Sequence, residues 1–234
     1  MFSMKMVRDL YNIFLESLFP ISSHERKLFS YTPEEAYSVL PKAPPVPIQN
    51  AISIFAYKDE RVTKLIWNIK YKKSATAVAI GGYALYQKLL EFREERPLGL
   101  SGGRISRKII ILPIPVTLRR RRERGFNQTE LLIEEIKLLD KNSKFIAIND
   151  LLVRRQHVSR QTLKGRAERL QSTQNIFSLD ENVLKRIASE VSEVEKSAIM
   201  IIDDVITTGS TMQSAMETMK HGGFENVYGL SLAH

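Results

Sequence analysis

Apolar residues in this chain follow two rhythms. Lys108 to Pro113 (KIIILP) and Ala198 to Ile202 (AIMII) are unbroken apolar runs, the pattern of strands buried on both faces of a parallel sheet. Ala51 to Tyr57, Phe145 to Ile148 and Val227 to Leu232 read as further short strands. Between them the spacing turns helical. Val62, Leu65, Ile66 and Ile69 repeat at three and four residues, and further helices are expected over 74–93, 127–139, 163–171, 181–194 and 210–221. Asn127, with Glu130 three residues on, opens one of them. Strands alternating with helices predict an α/β fold with an open, mostly parallel sheet flanked by helices.

The first 47 residues read differently. Met6, Leu10, Ile13, Phe14 and Leu18 have amphipathic helical spacing interrupted by Arg8, Asp9 and Glu16, unlike a signal-peptide core. A second helix is announced by Thr32-Pro33-Glu34-Glu35: Thr32 caps, Pro33 fits the first turn and Glu35 closes the capping box. Pro41 to Pro47 (PKAPPVP) cannot continue a helix and reads as an extended linker. The expected organisation is a small helical N-terminal appendage over 1–47 and an α/β domain over 48–234. Leu98 to Arg107, with Ser101-Gly102-Gly103, is expected to be a surface loop.

Composition narrows the chemistry. With 234 residues and 43% apolar content the chain can bury one substantial core. It has no cysteine, which excludes thiolate catalysis, disulfides and a cysteine zinc site, and its four histidines show no metal-ligand spacing. No apolar run approaches the roughly 18 residues of a bilayer span, so no membrane insertion and a cytoplasmic location are the expectation. A net charge of +9 favours polyanionic partners, either nucleic acid or a phosphorylated small molecule.

The densest chemical signal is Ile199 to Thr211, IMIIDDVITTGST. An apolar strand delivers Asp203 and Asp204, Val205 and Ile206 follow, and Thr207-Thr208-Gly209-Ser210-Thr211 opens a helix. Ligands of open α/β sheets lie beyond the carboxyl ends of the strands. A helix N-terminus offers free N–H groups to an anion, glycine lets the backbone approach closely, and the hydroxyls add donors. The two carboxylates suit the neighbouring hydroxyls of a ribose, or the vicinity of Mg²⁺. A Walker loop would need a lysine after the glycine and a dinucleotide fingerprint would need GxGxxG; both are absent. The competing reading, an ordinary capped helix start behind a solvated acidic turn, fits a lone Asp-Thr-Gly better than this unbroken window.

This window resembles the phosphoribosyl pyrophosphate (PRPP) motif of type I phosphoribosyltransferases. The resemblance implies that Asp203 and Asp204 contact the ribose hydroxyls and that the turn from Val205 through Thr207, Thr208, Gly209, Ser210 and Thr211 wraps the 5′-phosphate. It also implies that Mg²⁺ enters with the ligand, while the absence of cysteine leads to the expectation of no zinc. A second segment, LPIPVTL at 112–118 followed by Arg119 to Arg122, Glu123, Arg124, Gly125, Phe126, Asn127 and Gln128, is similar to the ComF family. Phe55-Ala56-Tyr57, Leu65-Ile66, Ile69-Lys70-Tyr71, and Gln161-Thr162-Leu163 with Arg166 and Asn175 extend the likeness from about residue 51 onward. That family is phosphoribosyltransferase-like and associated with DNA uptake in competence. Many of its members carry a four-cysteine zinc module ahead of the catalytic domain, and here the stretch around Phe19 to His24 has no cysteine.

The arginines admit two uses. Arg124, with Lys70, Asn127 and Gln128, is a candidate for the pyrophosphate arm of PRPP, since guanidinium presents a planar fork to phosphate. The same cluster could hold a nucleic-acid backbone, or be a solvated basic turn. Two functions therefore stand: an enzyme transferring a phosphoribosyl group to an acceptor the sequence does not name, or a PRPP-sensing module binding single-stranded DNA or competence proteins. The arginine segment has only Phe126 as a stacking residue, which weighs against the second. Asp203 and Asp204 are the catalytic candidates, and no residue stands out as a base.

Overall fold

The computed structural model describes residues 22–95, 109–155, 176–190 and 197–234. The helix expected before Phe19, the loop Leu98 to Arg107, the end of the helix expected to reach Val194, and the segment holding His157, Gln161, Arg166 and Asn175 lie outside those residues.

Seven strands are present among them: β1 (Ala51–Phe55), β2 (Ile109–Pro113), β3 (Phe145–Ala147), β4 (Leu152–Arg154), β5 (Phe177–Leu179), β6 (Ala198–Val205) and β7 (Val227–Ala233). Five form one sheet in the order β1-β7-β6-β2-β3, and every pairing is parallel. The fold is the expected α/β arrangement. The unbroken apolar runs occupy its centre, and all five residues of β2 are buried. The helices are α1 (Ser23–Phe29), α2 (Pro33–Val39), α3 (Glu60–Trp67), α4 (Ala75–Glu95), α5 (Leu118–Arg124), α6 (Gln128–Leu139), α7 (Glu181–Glu190) and α8 (Ser210–His221). None of them is long and apolar enough to cross a membrane.

Strand alternation splits the core in two. Ile111, Met200, Ile202 and Leu232 pack with Leu65, Ile80, Leu85 and Leu132, so α3, α4 and α6 cover one face. Ile110, Leu112, Ile199 and Ile201 pack with Met212, Ala215, Met219 and Ile187 on the other, beneath α7 and α8. α1 and α2 build onto the first face: Leu28, Ala36 and Leu40 are buried in the same cluster as Phe55 and Leu85. Thr32 caps α2 in a complete capping box, its hydroxyl accepting from Glu35 N–H while the Glu35 carboxylate accepts from Thr32 N–H at 2.8 Å.

The proline segment 41–47 is fastened along the outer edge of β1. Lys42 bridges Phe55, Ala43 N–H donates to Ile54 O at 2.9 Å, and Ala56 N–H donates to Pro41 O at 2.8 Å. Five elements were not foreseen: α1, the π-helical turn Asn68–Lys72 after α3, the arginine cluster, which is the helix α5, and β4 and β5, which pair antiparallel in a small separate sheet.

Topology places the ligand crevice. The chain leaves β2 toward β3 on one side and leaves β6 toward β7 on the other. The switch point, where such sheets open a crevice beyond the strand ends, therefore lies between β2 and β6.

Candidate functional site

β2 and β6 run in register from Ile109↔Ala198 to Pro113↔Ile202, and Ile114 N–H donates to Ile202 O at 2.9 Å. The two expected strand ends are thus brought side by side. Past them opens a cleft of about 570 Å³. One wall is Asp203 to Met212. The other is Ile114 to Thr117 with Arg119, Arg120 and Gln128, while Tyr57, Lys70 and Arg154 close the ends. All eight residues expected at the sugar and phosphate line it together.

β6 is longer than the apolar run that announced it. It continues through both acids to Val205 because its neighbour β7 keeps pairing, Asp203 with Ser231 and Val205 with Ala233. The carboxylates therefore alternate. Asp204 follows Met200 and Ile202 to one face of the sheet, and Asp203 follows Ile199 and Ile201 to the other.

Asp204 is buried, with its Oδ1 3.1 Å from Lys70 Nζ and its Oδ2 without a hydrogen-bond partner. Asp203 Oδ1 accepts from Asp204 N–H at 2.8 Å. Removal from water first, and the adjacent Asp204 second, raise the Asp203 carboxyl from the usual range to about 8; Lys70 and Arg120 pull against that rise. Asp203 holds its proton more firmly than a free carboxylate does.

The turn after β6 ends at Gly209, which caps α8 in the left-handed region with φ 84° and no side-chain hydrogen bond. A Cβ there would collide with Ile48, so the position demands glycine on two grounds. The helix begins at Ser210 with no side chain on its first amides, and the Thr208 and Ser210 hydroxyls stand 3.2 Å apart at its mouth. A helix start of this kind offers free N–H groups to an anion.

The polyanion candidates separate. Lys70 and Gln128 line the cleft, whereas Arg124 and Asn127 do not. Arg124 Nη1 donates to Gln128 Oε1 at 3.0 Å, and its guanidinium covers the Tyr71 ring. Asn127 is a buried staple: Oδ1 accepts from Thr129 N–H, and Nδ2 donates to Ile114 O and Glu130 Oε1. It ties the PIP turn to α6.

Arg119, Arg120 and Arg154 line the cleft instead. Thr117 Oγ1 accepts from Arg120 N–H, starting the helix that carries Arg119 and Arg120 at the rim of the cleft. Arg154, on β4, lies over the Phe177 ring. Burial, then the like charge of Arg120, pull the Arg154 guanidinium below its ordinary value, and Asp203 partly offsets them. Both guanidinium groups line the cleft and repel one another, a repulsion that a bound anion would relieve. Arg154 lacked a sequence signal: three residues of strand leave too short a pattern to read.

No group of three or more His, Cys, Asp or Glu side chains could hold a metal among the described residues. A divalent ion in this cleft would be coordinated by the oxygens of a bound polyphosphate and water, a mode that suits Mg²⁺.

Fold and cleft together define an α/β Rossmann-like protein with a polar cleft at its switch point. The chain is 31% identical over 128 residues to Competence protein F of Haemophilus influenzae, covering 53% of this chain and 50% of that protein. It is 33% identical over 114 residues to Competence protein ComFC of Bacillus subtilis, covering 49% and 39%. The matches span about half the length of these curated relatives or less, and they support a ComF-family relationship. No family model matches the chain.

Proposed function

We propose that the cleft binds PRPP, with Mg²⁺, and transfers its phosphoribosyl group to an acceptor. The observation that carries this reading is the pairing, at the β2–β6 switch point, of an uncapped helix start beside two carboxylates with an opposing set of cations. The amides and hydroxyls of Thr207 to Thr211 hold the 5′-phosphate. Asp203 and Asp204 accept hydrogen bonds from the ribose hydroxyls, and the negative charge the pair carries on Asp204 favours positive charge developing on the ring. Arg120 and Arg154 face the diphosphate arm, and Lys70 can turn from Asp204 toward it. The C1–oxygen bond to pyrophosphate breaks, the acceptor's lone pair forms the new bond to C1, and the acceptor loses its proton. Mg²⁺ supplies charge neutralisation for the departing pyrophosphate.

Calorimetry with ribose 5-phosphate, pyrophosphate and PRPP–Mg²⁺, followed by pyrophosphate release across a panel of nucleobases and amines, tests the reading. Ribose 5-phosphate binding that is lost in Asp204→Ala is expected. No binding of any of the three ligands overturns it.

A second reading has its own observation. Trp67 and Tyr71 lie with ring centroids 5.8 Å apart, both exposed. Lys72 sits over Trp67, Arg124 over Tyr71, and Lys73 over Phe126. The fold thus assembles from two distant segments the aromatic and basic surface that the arginine segment alone lacked. Such a surface suits stacked bases and their phosphates, in keeping with relatives named as competence proteins. A labelled single strand titrated at two salt concentrations, with and without PRPP, separates the two readings. Steeply salt-dependent binding that Tyr71→Ala weakens, without turnover, favours a binding module.

A further inference from the structure

We propose that Glu25, on α1 and outside the cleft, is a positioning residue: it pins both ends of the π-helical turn that carries Lys70 to Asp204. That turn, Asn68–Lys72, follows α3 and closes at Lys73, a non-glycine residue in the left-handed region at φ 50°. π-turns are rare and frequently fall at functional sites. Glu25 touches both ends of this one. Its Oε1 accepts from Asn68 Nδ2 at 2.8 Å and lies 3.8 Å from Lys72 Nζ. Asn68 is the first residue of the turn, Lys72 the last, and Lys70 lies midway. Asn68 Nδ2 also donates to Lys64 O at 2.9 Å, locking the turn to the end of α3.

Both partners are buried, Glu25 to 5% exposure and Asn68 to 2%. A carboxylate taken that far out of water persists only where its partners are fixed, so the contact holds geometry rather than merely adding affinity. Winding the turn as ordinary α-helix would swing Lys70 by roughly tens of degrees about the axis, enough to carry its ammonium off Asp204. α1 is thereby coupled to the cleft through four residues in sequence: Glu25, Asn68, Lys70 and Asp204. This inference uses the cleft geometry but does not require its ligand to be PRPP.

The test reads the carboxyl titration of Asp203 by ¹³C NMR in ligand-free protein, because the Lys70 ammonium favours the ionised form of that group. Glu25→Ala is expected to move the titration upward by roughly 0.5 pH unit or more, in the same direction as Lys70→Met. The double variant should move it no further than Lys70→Met alone. Glu25→Gln, which keeps an acceptor for Asn68, should restore most of the wild-type value. A folded Glu25→Ala with an unchanged Asp203 titration overturns the proposal, as does a shift that adds fully to that of Lys70→Met. Should Glu25→Ala fail to fold, Glu25→Gln and Asn68→Ala carry the comparison, and wild-type titration in both is the overturning result. A protein that binds no phosphoribosyl ligand would defeat the PRPP reading while this titration still decides the present one.

Discussion

Lys70 Nζ stands 3.1 Å from Asp204 Oδ1 across the end of the cleft, and the two come from opposite halves of the chain. The lysine is one-fifth exposed and the aspartate nearly closed off, so the pair is asymmetric. That asymmetry has a measurable consequence. Lys70→Met leaves a buried carboxylate with no counter-charge and should destabilise the protein by roughly 3–5 kcal/mol. Asp204→Asn leaves an ammonium that can reach water and should cost less. Urea unfolding of both variants at pH 7 checks the order; equal losses would mean that the pair contributes no directed contact.

Asp203 sets a pH dependence of known sign. The folded state keeps the Asp203 proton up to about 8, while the unfolded chain releases it near the usual carboxylate value. Between those limits the native state binds more protons, so this group's contribution to stability falls as pH rises. Asp203→Asn removes the effect. Its Tm should exceed that of wild type by a margin that widens from pH 4 to 8, at roughly 4 °C or less per kcal/mol for a chain of this size. A constant margin across the range would contradict the raised value.

Gly209 faces two constraints at once, a positive φ and the side chain of Ile48. Gly209→Ala should cost roughly 2–4 kcal/mol, combining left-handed strain with overpacking. Adding Ile48→Ala should recover the packing share and leave the conformational share in place. Thermal melts of the single and double variants separate the two, and full recovery would assign the whole cost to packing.

Arg120 and Arg154 divide the ligand's two ends if the PRPP reading holds. Either arginine replaced by Met should weaken PRPP binding by roughly 10- to 100-fold, the worth of one charge-assisted contact to phosphate. Ribose 5-phosphate, which lacks the diphosphate arm, should bind as it does to wild type. Calorimetry with both ligands reads the difference, and equal weakening for the two would move these arginines away from the arm.

What could be read from the sequence follows from how locally each feature is encoded. α8 runs over the expected residues because Gly209 and the apolar positions Met212, Ala215, Met216 and Met219 all lie within one short stretch. The β2 and β6 runs are legible because burial on both faces leaves no polar position to break them. α5 was hidden because none of its residues is buried. Its two punctuation marks, the Thr117 cap and left-handed Gly125, were nonetheless present. Asn127 is a ligand candidate through the RGFNQ stretch that resembles the ComF family, yet its side chain is consumed in joining the PIP turn to α6. Arg154 and the Trp67–Tyr71 pair acquire meaning only through neighbours far away in sequence, Arg120 for one and Arg124 for the other. Cleft residues within a single loop could be named in advance; those assembled across the fold could not.

The proline segment along β1 reaches beyond packing. A sheet margin attracts foreign strands when its main-chain donors and acceptors stand ready, and Pro44, Pro45 and Pro47 present no N–H to continue any ladder begun at Ala43. A second molecule approaching that flank would find a ladder already stopped, so crowding should favour separate molecules over runaway fibres at this border.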